Sequence, residues 1–362
     1  MKITIVGGGN IGTLMAAEFA HKGNEVTIFT SSPERFERNI KVSDNDGGIM
    51  FEAEIACITK DIDAAIDADY IFVTLPSIAQ GDFANKIAKK IKKDTRIGVI
   101  PGYGGAEFIF KDVISRGAKL FGFQRVHAIS RLDEYGKQVC MKGRKDSVYL
   151  SALDPTLTPR ICRDMEVLFD MPCIALPNYL CVTLTPSNPI LHTSRLFGMF
   201  NDFAEEKRYE KNILFYEEWT DFDSQVLFDA DTELQQICSA MDFADLSSVR
   251  SLKDHYESHT VPALTDKIRS ISAFRGIGSP MKEVSDGWVP DFSSRYFTCD
   301  FVYGLALLCQ FGDVLGISTP TMDRVMAWYR DVSGDMDQPI DLSSCGIDSK
   351  KAIFEFYNFD RI

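Results

Sequence analysis

The spacing Gly7-x-Gly9-x-x-Gly12 puts three glycines where an apolar run gives way to a helical one. Ile3, Ile5 and Val6 read as a short β-branched strand, and Ile11, Leu14, Met15 and Phe19 continue at helical spacing. Gly7 lets the chain turn tightly, Gly9 lets backbone approach a pyrophosphate, and Gly12 lets the helix pack on the strand. Asn10 and Ile11 open the helix, whose free N–H groups and positive dipole end face the phosphates. Dinucleotide binding is the chemistry this pattern predicts.

A second strand, Glu25–Phe29, ends at Thr30, about twenty residues past the glycines, where NAD sites carry an acid for the ribose 2′-hydroxyl. This chain has Thr30, Ser31, Ser32 and, three residues further on, Arg35. An acid would repel a 2′-phosphate, whereas hydroxyls and a guanidinium can hydrogen-bond it, so NADP is expected ahead of NAD. The same residues also read as a helix start, with a serine N-cap and Pro33 in the first position. Asp69 to Pro76 and Arg96 to Gly102 read as further parallel strands. Ligands lie beyond the carboxyl ends of such strands, which places Leu75, Pro76, Gly102 and Gly104 near the nicotinamide.

Two segments of the second half carry polar groups that a helical core does not need. In Thr185-Pro-Ser-Asn-Pro-Ile-Leu-His192-Thr-Ser-Arg195, a histidine sits in an apolar setting just inside a helix start. In Ser293-Ser-Arg295-Tyr-Phe-Thr-Cys-Asp300-Phe301, an arginine and an aspartate flank aromatic residues. Read by themselves, these are equally a core histidine bonded to a carbonyl and a surface ion pair with a helix-start acid.

The elements that must position these residues follow from composition. At 362 residues and 45% hydrophobic content, two domains are expected. Strand–helix alternation fills residues 1–180. Helical spacing dominates 181–362, notably Ile213 to Met241, Phe301 to Leu315 and Met322 to Tyr329. The expected architecture is an α/β doubly wound parallel sheet of Rossmann type followed by an all-α domain. Residues 1–180 hold 23 Lys+Arg and 23 Asp+Glu, whereas 181–362 hold 16 and 29 and carry the whole net charge of −13. That balance argues against nucleic acid or an anionic membrane as partner. No run of eighteen apolar residues predicts a membrane span, and the first strand begins too early for a signal peptide. Nine scattered cysteines without a CxxC pair suit free thiols in a reducing cytoplasm, with no metal site expected.

The two polar segments, in this order and at this separation, resemble the octopine/nopaline (opine) dehydrogenases. The likeness runs nearly the whole length: GGGNIG at the start, PGYGG from Pro101, NPxxH from Asn188 to His192, RYFTCDFVYGL from Arg295, and GDVLGISTPTMDRVMAWY toward the end. The resemblance implies reductive condensation of an amino acid's amine with a 2-oxo acid, typically pyruvate, using NAD(P)H. It makes His192 the general acid/base, Asp300 the carboxylate that orients it, and Arg295 the grip on a substrate carboxylate. These residue types suit the roles, since a histidine titrates near neutral pH and a guanidinium pairs a carboxylate two-pronged. Because those residues belong to the second domain and the cofactor to the first, substrate is expected where the two face each other.

The chain departs from the family pattern at Cys299, where an acid usually precedes the aspartate, and at Thr193, where proline often follows the histidine. Both read as changes of selectivity. Two other readings remain: a 2-oxo or 3-hydroxy acid reductase of the ketopantoate reductase or 6-phosphogluconate dehydrogenase type, and a non-catalytic NAD(P)H sensor. The former uses a lysine that the His192 segment lacks, and the latter needs neither His192 nor Arg295. Of the other histidines, His21 ends the first helix, His127 is a candidate for substrate contact, and His255 and His259 share a helical face without the glutamate of a metal motif. The partners expected are small amino and oxo acids, with a homodimer among the open oligomeric states.

Overall fold

The computed structural model describes residues 1–334 and 339–359. Two compact units form, Met1–Thr183 joined by the chain end from Tyr357, and Leu184–Phe356.

The first unit is built on an eight-stranded sheet in the order Cys173–Ala175, Val148–Ala152, Lys119–Phe123, Arg96–Val99, Tyr70–Val73, Lys2–Val6, Glu25–Phe29, Cys57–Thr59. Every neighbouring pair is parallel except Val148–Ala152 against Lys119–Phe123. Strand order reverses at Lys2–Val6, the switch point where doubly wound sheets bind ligands. Tyr70–Val73 is buried at every position, which is why its sequence is an unbroken apolar run without alternation. Phe19, Phe72, Phe121 and Phe123 meet ring against ring in the core.

A second sheet, absent from the sequence-based expectation, orders Ile49–Glu54, Asn39–Ser43, Gln138–Arg144 and Ala128–Glu134. The hairpin joining its last two members in the chain turns at Gly136, whose φ is +76°. A Cβ there would lie 2.3 Å from the Arg35 carbonyl oxygen, and Glu37 N–H donates to the Gly136 carbonyl at 3.0 Å. Only glycine permits that approach. The hairpin thereby sets Tyr135 against the Arg35 segment.

Glu107 lies wholly buried on the short helix after the glycine-rich loop. Thr183 and Tyr357, the latter 250 residues away in sequence, both donate hydroxyl hydrogen bonds to its Oε1, at 2.6 and 2.7 Å. Burial holds this carboxyl above its ordinary range despite those bonds.

The second unit is dominated by helices, among them Asn188–Phe200, Asp221–Ala240, Val261–Ser270, Ala306–Leu315 and Pro320–Ser333. It is not all-α: Met281–Val284 and Gly287–Pro290 pair as an antiparallel hairpin. The helix expected from Ile213 begins only at Asp221, where a reciprocal Thr220–Asp223 capping box fixes its start. The run Arg295–Leu315 has the length and mean hydropathy (1.3) to cross a membrane, although polar residues interrupt it. Within the unit 67% of that window is buried, as befits a core helix.

Candidate active site

The glycine turn is shaped by close backbone approaches. Gly7 has φ +112°, and a Cβ on Gly12 would lie 2.0 Å from the Gly7 carbonyl oxygen. By contrast, a Cβ on Gly9 would meet nothing within 4 Å, so its outer face is open to a phosphate. The following helix, Asn10–His21, has no side-chain cap and no acid in its first turn. Its terminal N–H groups and dipole therefore suit an anion. The Asn10 side chain accepts from Leu132 N–H at 2.9 Å, tying the turn to the second sheet and leaving the backbone to face a ligand. Thr74 Oγ1 donates to the Val6 carbonyl at 3.0 Å, and Gln80 holds the Leu75 carbonyl at 3.1 Å, fixing the loop that carries Leu75 and Pro76. Gly102 packs where a Cβ would strike Val182 and Gly122, and Gly104 adopts φ +91°.

Thr30 is buried and accepts from Ser32 N–H at 3.3 Å, while Ser31 is exposed. Pro33–Arg35 forms one 3-10 turn, and Ser32 at its start makes no side-chain cap. The exposed Arg35 guanidinium lies 4.2 Å from the Tyr135 ring centroid. No acid stands in the Thr30–Ser32 stretch, so these residues fit a nucleotide with or without a 2′-phosphate.

In the second unit, His192 and Asp300 meet. Nδ1 of His192 lies 2.8 Å from Asp300 Oδ2, and both residues are buried, at 5% and 8% exposure. A carboxylate only accepts, so Nδ1 carries the proton and Nε2 holds the lone pair of the neutral ring. Pro189, one turn before His192, contacts the position where Gly304 would bear a Cβ, at 3.0 Å. Gly304 belongs to a π-helical stretch, Asp300–Leu305, whose widened turn begins at Asp300. The lack of a side chain at Gly304 thus seats that stretch against the histidine's helix. Phe215 and Tyr296 close around the imidazole at 5.4 and 4.5 Å between ring centres.

Arg295 opens the short helix Arg295–Thr298, is exposed, and has its guanidinium 5.8 Å from the Tyr296 ring. Asp300 is not its ion-pair partner, having turned to His192 instead. Two residues that sequence reasoning passed over are Arg195 and Asp223, buried and paired at 2.5 Å. Burial pushes Asp223 up and Arg195 down, and each charge opposes the other's shift. The Thr220-x-x-Asp223 capping pattern was the available signal. His127 is corrected: it is fully buried, 2.7 Å from Glu18, and structural. Burial pushes Glu18 up, but His127 and Arg144 outweigh it and hold the carboxyl low. His255 ends the helix Leu252–His255 and His259 lies beyond it, so they share no helical face. No metal-binding cluster occurs among the described residues.

Residues 175–333 match the model of the NAD/NADP octopine/nopaline dehydrogenase α-helical domain, and residues 3–155 match that of ketopantoate reductase PanE/ApbA. The opine dehydrogenase of Haliotis discus hannai is 28% identical, with 90% of this chain and 89% of the relative covered. Over nearly its whole length the chain is similar to the opine dehydrogenases. The matched helical-domain model is that of NAD/NADP-linked dehydrogenases, and the relatives are dehydrogenases by name. The tauropine dehydrogenase of Arabella iricolor is 24% identical over 92% of this chain and 91% of its own. A solved octopine dehydrogenase with NADH and L-arginine shares the fold, with a TM-score of 0.81 at 22% identity, covering 98% and 97% of the two chains. Against the opine dehydrogenase pattern, Thr193 uses its hydroxyl to bond the Pro189 carbonyl at 2.6 Å, and Cys299 is a buried thiol.

Proposed function

We propose that this chain joins the amine of an amino acid to the carbonyl carbon of a 2-oxo acid such as pyruvate, reductively, and runs the reverse oxidation. The observation that carries the reading is the buried His192–Asp300 pair at 2.8 Å, set in a domain of this family. Relatives named opine, tauropine and octopine dehydrogenase align over about nine-tenths of the chain, which supports the same reaction here.

In the condensation, the amine nitrogen bonds to the carbonyl carbon and the carbonyl oxygen leaves as water. His192 takes the proton that the ammonium must lose and returns one from Nε2 to the departing oxygen. Asp300 fixes the proton on Nδ1 and stabilises the charged imidazole. Arg295 supplies a planar two-pronged partner for a substrate carboxylate. Bound NAD(P)H supplies the hydride that reduces the resulting C=N bond. Gly7, Gly9, Asn10, Ile11 and Gly12 hold the pyrophosphate, and Leu75, Pro76, Gly102 and Gly104 line the nicotinamide end. Thr30, Ser31, Ser32 and Arg35 favour NADP, because nothing acidic among Thr30–Ser32 repels a 2′-phosphate and Arg35 stands beside them.

The test is NADPH and NADH oxidation by the full chain with pyruvate and a panel of amino acids and taurine. Oxidation that requires both amine and oxo acid, and that falls at least a hundredfold in His192→Ala, is the expected result. Oxidation with the oxo acid alone would refute the reading in favour of a simple 2-oxo acid reductase.

A further inference from the structure

The opposite nitrogen of the same imidazole is also engaged. Nε2 of His192 lies 3.1 Å from the hydroxyl of Tyr216, a residue given no role so far and only 6% exposed. Since Nδ1 carries its proton toward Asp300, a neutral His192 presents a lone pair at Nε2, and the Tyr216 hydroxyl donates to it.

That hydroxyl is placed by the fold. Tyr216 lies in the irregular stretch before Asp221, stacked on Phe274 at 4.1 Å between ring centres. Arg195, one turn beyond His192 on the same helix, reaches back to this stretch. Its Nε donates to the Phe215 carbonyl at 2.8 Å and its Nη2 to the Leu214 carbonyl at 3.3 Å. Asp223 locks Arg195 and also accepts from Thr220. The helix Asn188–Phe200 therefore grips this stretch twice, once by His192 and once by Arg195.

The geometry points to Tyr216 as a positioning residue for the proposed reaction: its hydroxyl holds Nε2 of His192 in the neutral, accepting state opposite Asp300, and so helps set the pH at which the histidine changes from base to acid. This rests on the acid–base reading of His192 above. Asp300 favours the charged ring and Tyr216 the neutral one, so the two act in opposite senses. Other charged and titratable groups lie on the elements packed against this helix, among them the buried Cys299 thiol next to Asp300. Tyr296 packs on the ring with Arg295 beside it, Arg195 is paired with Asp223, and Arg324 of Pro320–Ser333 lies over Phe197.

The test uses the full chain labelled with nitrogen-15 at histidine, the His192 resonances being identified by their loss in His192→Ala. Tyr216→Phe keeps the stack on Phe274 and removes only the hydroxyl. Its Nε2 resonance should move toward that of an imidazole nitrogen without a donor. The His192 titration midpoint, and both limbs of the pH–rate profile, should rise by about 0.5 to 1 pH unit, the size of one hydrogen bond. Phe274→Leu loosens the stack but keeps the hydroxyl, and should move the midpoint far less. Near-ultraviolet circular dichroism, which reports the packed aromatic rings of this unit, checks that the variants are folded. An unmoved Nε2 resonance and midpoint in Tyr216→Phe would overturn the inference. The spectroscopic arm needs no substrate, so failure of the condensation assay in the unaltered chain refutes the reaction and leaves this measurement to decide Tyr216 separately.

Discussion

Asp300→Asn preserves the shape of the residue beside His192 and still offers an oxygen to Nδ1, but it removes the charge. A hydrogen bond to a charged group contributes about 1.5 to 3 kcal/mol, against about 1 for a neutral one. Both side chains are almost excluded from water, so solvent does little to screen the loss. If the difference, about 0.5 to 2 kcal/mol, acts on the charged imidazole that forms during turnover, kcat falls roughly twofold to thirtyfold at about 1.4 kcal/mol per factor of ten. The carboxylate favours the protonated ring, so its loss moves both limbs of the pH–rate profile to lower pH, opposite to Tyr216→Phe. Steady-state rates in the condensing and oxidising directions across pH, with a fluorescence titration of the cofactor, measure all of this. A kcat equal to that of the unaltered enzyme at every pH, with unmoved limbs, would mean that Asp300 only fills space.

Thr30→Asp should turn the cofactor preference toward NADH, read as the ratio of kcat/KM for the two nucleotides, because the new carboxylate repels a 2′-phosphate. An unchanged ratio counts against the placement of Thr30. Arg295→Lys keeps the charge and loses the planar fork, so the KM of one carboxylate substrate should rise about tenfold while cofactor Kd stays put; unaltered KM values for both substrates would leave Arg295 a surface residue. Glu107→Gln addresses stability. Burial raises the Glu107 carboxyl in the folded chain, so folding holds a proton there that the unfolded chain releases above its ordinary 4.5. That contribution is complete below 4.5 and is lost as pH rises, whereas glutamine cannot ionise. The unaltered protein should therefore lose more Tm than the variant between about pH 5 and about pH 8, and parallel curves would show that the carboxyl's protonation is immaterial.

What the sequence disclosed depended on range. The glycine turn is encoded within twelve residues, and its strand–turn–helix reading needs nothing from elsewhere. Tyr70–Val73 announced a buried parallel strand because both its faces are covered. The second sheet gave no such signal: Ile49 and Met50 are about half exposed, so Ile49–Glu54 lacks a consistent buried face. His192 and Asp300 are 108 residues apart, and only the family likeness joined them before the geometry did. The π-helical turn at Asp300 uses the same residue types as an α-helix, so no spacing betrays it. Arg195 and Asp223 drew no pairing from the sequence, because burial of an ion pair is decided by what folds over it.

The Tyr357–Glu107 bond bears on the order in which this protein is made. The nucleotide-binding unit leaves the ribosome first, yet one hydroxyl that satisfies its buried carboxyl is translated 250 residues later. A nascent chain that has reached only Thr183 has its glycine turn and every strand of its large sheet, but Glu107 there lacks one of its two donors. Completion of the first unit's interior therefore waits for Tyr357. A truncation just before Tyr357, though remote in sequence from every candidate site residue, removes part of the interior of the nucleotide-binding unit.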